Sequence, residues 1–175
     1  MTRSVGFGPV EEKETTDDFG FVHQHSPHEK TSWIARRPIE DEWGAIAFLK
    51  KWILDRQTRT KQIKNNPSAY REQFHRNFLE IQSRIGDTVN LLTQHGVGLD
   101  SVRHLLGFEL FTYVLVDDPG LISEALEAMT EHNVTECHAI ANIKLSPAVL
   151  TYSDIAYKNR LLHSPDYLRR EIFPR

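Results

Sequence analysis

Apolar side chains recur at Tyr70, Phe74, Phe78, Ile81, Ile85, Val89 and Leu92, in steps of four, four, three, four, four and three. Such steps keep one face of a 3.6-residue turn apolar, so the pattern predicts an amphipathic helix from Pro67 to about His95. Gly96-Val97-Gly98 stops it, and Asp100 is placed to cap the next segment. The spacing would also suit a coiled-coil seam, but over this limited length packing inside a bundle explains it better.

A second helix is predicted from Ile39 to about Lys64. Glu40, Asp41 and Glu42 stand in its first turn and basic residues in its last turns, which matches the helix dipole at both ends. Trp43, Ile46, Ala47, Ile53 and Leu54 supply a buried stripe here, widened by Phe48, Leu49 and Trp52. Residues 101–116 are almost continuously apolar, which fits a buried helix or a buried strand. The helix is preferred. As a strand, the block would form a βαβ unit at about 108–145 with a helix from Pro119 to about Asn133 and a strand near 136–145.

Four dipeptides, Asn66-Pro67, Asp118-Pro119, Ser146-Pro147 and Ser164-Pro165, place an N-cap residue directly before proline. Proline disfavours α geometry in the residue before it, while its own fixed φ and missing N–H suit the first helical position. Each pair therefore predicts a helix start, the third running through Leu162. The expected fold is mainly α, an irregular helical bundle with an extended N-terminal tail; the alternative is α+β with the βαβ unit. Residues 1–32 are read as the tail and 33–175 as a single helical domain, since 175 residues suffice for one core.

The formal charge of −3 conceals a segregation. Residues 50–64 hold Lys50, Lys51, Arg56, Arg59, Lys61 and Lys64 against Asp55 alone, whereas 104–143 hold seven acidic residues and no Lys or Arg. This arrangement points to complementary surfaces, within the molecule or between molecules. The basic stretch could contact nucleic acid or an acidic partner through Arg56, Arg59, Lys61 and Lys64, with Trp52 available to stack. No apolar run approaches the roughly 20 residues that span a bilayer, and the N-terminus lacks a signal-peptide pattern. The single cysteine, Cys137, rules out an intramolecular disulfide framework. The expectation is a protein of the cytoplasm or another reducing compartment, with no membrane insertion. Asn133-Val134-Thr135 then reads as a chance sequon.

Candidate chemistry is sparse. His23, His25 and His28 could supply nitrogen ligands to a zinc, copper or nickel ion, but the segment names no fourth ligand. Glu72 and His75 have the i, i+3 spacing of di-iron bundle sites, without the second copy that those sites need. Cys137 and His138 lie near His132 and Glu136, yet neighbouring residues point apart on regular elements, and cysteine is commonly a small core residue. No phosphate loop, nucleophile elbow or His-Glu-x-x-His motif occurs, and no cofactor is identified. The function expected is therefore a non-catalytic protein–protein interaction or accessory subunit, binding a protein partner or itself. Its tail would dock through Phe7, Phe19 and Phe21 as aromatic anchors. The competing readings are a small metal-binding protein or enzyme using the tail histidines or the Cys137 region, and a nucleic-acid-binding protein using 50–64.

Overall fold

A computed structural model describes residues 13–26, 31–87, 92–95, 98–141, 146 and 148–175. The chain is mainly α with small β elements. Strands β1 (Lys13–Thr16), β2 (Val22–Ser26) and β3 (Thr31–Arg36) form an antiparallel sheet in sequential order. Helices α1 (Glu42–Asn65) and α2 (Pro67–Ile85) follow, then β4 (Leu92–His95), α3 (Leu99–Leu106), α4 (Phe108–Asp117) and α5 (Pro119–Ile140). Strand β5 (Val149–Tyr152) pairs in parallel with β4, so α3, α4 and α5 form the crossover between them. A short ladder of β6 (Ala156–Tyr157) and β7 (Arg160–Leu161) precedes α6 (Pro165–Tyr167) and a π-helical turn over Leu168–Ile172.

Two of the Asx-Pro pairs act twice. Asn66 closes α1 through its backbone N–H to Gln62 O (3.1 Å) and opens α2 by accepting from Ala69 N through its side chain (3.2 Å). Asp118 likewise donates to Val114 O (2.8 Å) and accepts from Leu121 N (3.0 Å). In both, the residue before proline is driven off α geometry, at φ −143°, ψ 66° and φ −137°, ψ 69°, and this turns the chain between consecutive helices. Ser164 caps the turn at Pro165 by accepting from Tyr167 N.

The start expected at Ser146-Pro147 is not a helix start. Buried Ser146 donates its hydroxyl to Ala148 O (2.6 Å), and the chain then enters β5. Pro147 itself lies outside the described residues. Val149-Leu150-Thr151-Tyr152 is β-branched and aromatic, a composition that suits a strand once no apolar period of 3.6 follows.

The apolar block 101–116 is helical, as preferred, and is divided at Gly107 into α3 and α4. The Arg37 guanidinium docks at this break, donating from Nε to Leu105 O (3.1 Å) and from Nη2 to His104 O (3.1 Å). A cation there satisfies the last carbonyls of α3 and complements its dipole. The crossover lies between strands at 92–95 and 149–152, so the βαβ unit considered for 108–145 does not form. Helix α5 extends to Ile140, into the segment where its second strand was placed, and residues 142–145 lie outside the described residues.

Helix α2 stops at Ile85 instead of near His95. Gly86, at φ +60° and ψ −129°, leaves helical geometry, and 92–95 form a strand. The stripe on α1 is also rotated from expectation. Ala45, Leu49, Trp52, Ile53, Thr60 and Ile63 face inward, while Trp43 is 81% and Leu54 64% exposed.

The main core joins the inner face of α1 to α3, α4, α5 and the C-terminal turn, and α1 against α5 is the most extensive packing in the fold. Phe21, in the segment expected as tail, is fully buried in this core and meets Phe48 edge-on at 5.4 Å. The sheet thus attaches to the helices through aromatic packing.

Candidate functional site

Where α1, α2 and α5 meet, polar side chains replace apolar ones. Thr60 comes from α1, Tyr70 from α2, and His132, Asn133 and Glu136 from one face of α5 at helical spacing. Thr60, His132, Asn133 and Glu136 are all buried. The Thr60 hydroxyl lies 3.0 Å from His132 Nδ1 and 2.8 Å from Arg56 O, His132 Nε2 lies 3.5 Å from Glu136 Oε1, and Tyr70 donates its phenol proton to the same Oε1.

Two proton placements satisfy this chain. In one, Thr60 donates to Nδ1 and a neutral His132 faces Glu136 through Nε2–H. In the other, Thr60 donates to Arg56 O and accepts from Nδ1–H of His132. Burial, and then the hydrogen bond to Glu136, push the Tyr70 phenol well above its ordinary pKa. The Arg56 guanidinium lies over the Trp52 ring at 5.2 Å. Burial, followed by Arg59, holds its pKa below the usual arginine value, with Asp55 and Glu136 opposing. Through Thr60, Tyr70, His132 and Glu136 this buried chain of polar contacts links α1, α2 and α5.

The α2 edge of the junction caps α5. Arg71 donates to Ala139 O (2.6 Å) and His75 Nε2 lies 3.0 Å from Ile140 O, which satisfies the last carbonyls of the helix. His75 is therefore engaged with backbone, while Glu72 is exposed. Cys137 is half-buried. Burial, and then Glu136, raise its thiol pKa, the reverse of the shift that activates a nucleophile.

A cavity of about 530 Å3 lies at the other end of α5, lined by Pro119, Ser123, His163, Tyr167, Arg170 and Glu171 among others. Burial, and then Arg103, lower the His163 imidazole pKa, whereas burial and Glu171 push the Tyr167 phenol up to about 12. Arg175 closes one side by donating to Ser123 Oγ (2.6 Å) and to Glu171 O.

The structure distributes the remaining sequence candidates. His23 and His25 share one side of β2, but His23 pairs with Asp17 (3.1 Å) and His25 with Thr15 (2.9 Å); His28 lies outside the described residues. Among the described residues no group of three or more His, Cys, Asp or Glu could hold a metal ion. Phe21 and Phe19 pack with the chain's own Phe48, at 5.4 and 5.9 Å, and Phe7 lies outside the described residues. Of the basic set, Arg59 is bound to Asp55 (2.8 Å), Lys64 to Glu131 (2.6 Å), and Arg56 faces Trp52, which leaves Lys61 exposed. The segregated charges therefore meet partly within the molecule.

The sequence reading did not anticipate the exposed apolar side chains on the outer face of α1. A helical wheel through Ala45, Leu49 and Ile53 places Trp43, Ala47, Lys50, Leu54 and Lys61 on the opposite side, so the signal was in the spacing and was obscured by the number of apolar residues. Among the described residues no helix is long and apolar enough to cross a membrane. Comparison with protein-family models, with curated proteins and with solved structures finds no match to this chain.

Proposed function

We propose that the chain is a non-catalytic protein-interaction module or accessory subunit, and that it docks through the outer face of α1. The observation that carries this reading is the exposure of Trp43 and Leu54, 81% and 64%, on a regular helix whose opposite face is fully used in the core. Large apolar side chains held on a rigid element cost solvation when bare, and they are the residues from which binding hot spots are built. A protein surface is favoured over nucleic acid because three of the four basic residues first considered are already engaged within the chain.

Native mass spectrometry of the chain recovered from its source cell tests the proposal. The native chain should carry a defined additional mass that is lost in the Trp43→Ala/Leu54→Ala double variant, with far-UV circular dichroism unchanged. Identical mass profiles for the two chains would refute it.

A further inference from the structure

Residues 154–163 form a loop whose ends are drawn together where Leu162 N donates to Ile155 O (2.9 Å), with the β6–β7 ladder between them. Ile155, Leu162 and His163 are partly buried, and the other residues of the loop are exposed. Lys158, at the tip, holds φ +45°, left-handed geometry that a residue with a Cβ disfavours. A two-stranded ladder is marginal by itself, so the loop depends on its attachments at the two ends.

One end is clamped through its backbone. Asp100 Oδ2 accepts from Asp154 N (2.7 Å), and Arg103, paired with Asp100 Oδ1 (2.7 Å), donates to Asp154 O (3.1 Å). The other end is held by a ring. The His163 imidazole meets Phe111 edge-on at 5.6 Å and lies tilted against Tyr167 at 5.5 Å and Phe108 at 6.4 Å. Its Nε2 is buried with no hydrogen-bond partner among the described residues. A neutral ring with its proton on Nδ1 leaves only a lone pair there. An imidazolium must carry N–H on Nε2, and a buried charged donor without an acceptor is costly.

We propose that His163 is a proton-operated latch: as a neutral imidazole it fastens residues 154–163 to α4, and taking up a proton frees this loop and withdraws His163 from the wall of the cavity at the start of α5. The surrounding charges favour release. Burial, and then the Arg103 guanidinium of α3, lower the imidazole pKa, and Asp100 opposes them with a carboxylate already engaged by Arg103 and Asp154 N. From α4 the ring meets Phe108 and Phe111, and from α6 it meets Tyr167. The carboxylates on these elements and on the π-helical turn are bound elsewhere: Glu109 to Tyr113, Asp166 to Arg169, and Glu171 to Arg170.

The sign follows from linkage. The closed loop holds the imidazole below its ordinary pKa of 6.5 and the open loop returns it there, so the open state binds more protons. Closure is therefore full above the ordinary value and weakens as pH falls through it. At about pH 5.5 a free imidazole is protonated roughly ten times in eleven, so opening is favoured by up to about tenfold.

Amide hydrogen exchange of the full chain at about pH 7.5 and about pH 5.5, corrected for the intrinsic rate, tests the latch. It is read at Asp154 and Leu162, whose N–H groups are bonded while the loop is closed. Both should be less protected than buried α5 amides such as that of Leu126, and their protection should fall about three- to tenfold at the lower pH. His163→Phe keeps a ring and takes up no proton, so its loop should hold the same protection at both pH values. Proton NMR titration of the native imidazole gives a second reading that needs no folded variant, and should place its pKa below the ordinary value. Unchanged protection in the native chain, an equal fall in His163→Phe, or an imidazole titrating at or above the ordinary value would overturn the latch. Loop amides as protected as those of α5 would place opening in global unfolding and overturn it as well.

Discussion

Replacing Phe21 by alanine separates an N-terminal segment that belongs to the core from one that serves only as a docking tail. The ring is 1% exposed and sits edge-on to Phe48 with centroids 5.4 Å apart and planes at 75°. Truncation removes roughly 100–130 Å2 of buried apolar surface beyond that of alanine, or about 3 kcal/mol at ~25 cal/mol per Å2. Incomplete closure of the resulting cavity adds to this, bringing the loss to about 3–5 kcal/mol. For a chain of this size that is a fall in Tm of about 6–20 °C. Urea titration followed by tryptophan fluorescence and far-UV circular dichroism measures it, with the native and variant chains compared at equal m-value. A double-mutant cycle with Phe48→Ala should return an aromatic coupling of about 0.5–1.5 kcal/mol. Phe19→Ala, at a partly buried site 5.9 Å from Phe48, should cost less than Phe21→Ala. A loss below about 1 kcal/mol for Phe21→Ala would refute the packing described and return the segment to the role of a tail.

Three further perturbations probe other joints. Gly98 has φ +88°, and a Cβ there would stand 2.5–2.6 Å from Cγ and Cβ of Met129, while Gly86 has φ +60° and nothing within 4 Å. Alanine at either position should lose about 1–2 kcal/mol to backbone strain. Gly98→Ala should lose clearly more in thermal unfolding, and equal losses would refute the contact with Met129. Tyr70→Phe removes a donor to the buried Glu136 carboxylate and should cost about 1–3 kcal/mol. A cycle with Glu136→Gln that proves additive within about 0.5 kcal/mol would show that the two are not coupled. The Asp17 carboxyl is held below its ordinary pKa: burial opposes this, but the hydrogen bonds from His23 and from the N–H groups of Phe21 and Phe19 outweigh it. Because the folded value lies below the unfolded one, the contribution is full above the unfolded carboxyl's pKa and is lost as pH falls through the folded value. Asp17→Asn should flatten the acid limb of a Tm-against-pH curve, and an unchanged limb would count against this assignment.

The helix junctions were legible in the sequence wherever one residue determined backbone geometry. Asn66-Pro67 and Asp118-Pro119 each combine a capping side chain with a ring that forbids helix in the residue before it, so local chemistry alone turns the chain. Ser146-Pro147 also sets a capping residue before proline yet starts no helix, because the residues after it lack an apolar face and pair with β4 instead. That pairing spans more than fifty residues and leaves no local mark. The α1 stripe was misjudged for a related reason. Nine apolar residues lie between Trp43 and Leu54, counting glycine aside, and periodicity cannot say which of them the rest of the molecule covers until α5 is in place. The polar junction of Thr60, Tyr70, His132 and Glu136 was invisible as a unit. Its members lie on three helices, and only His132 and Glu136, at i and i+4, are close enough in sequence to be read as neighbours.

The segregation of charge links the fold to the proposed docking. A basic helix and an acidic helix packed together draw on each other's charge: Lys64 binds Glu131 directly, and Glu136 lends part of its field to Arg56. Had the basic residues of α1 lain only on its inner face, this internal pairing would account for all of them. They do not, because six basic residues spread over fifteen positions of a 3.6-residue helix must point in several directions. Lys50, Lys51 and Lys61 therefore remain exposed on α1, the helix that also carries exposed Trp43 and Leu54. A helix acidic at one end and basic at the other satisfies its own dipole in isolation, so the charges that stabilise α1 also set the sign of the surface beside Trp43 and Leu54.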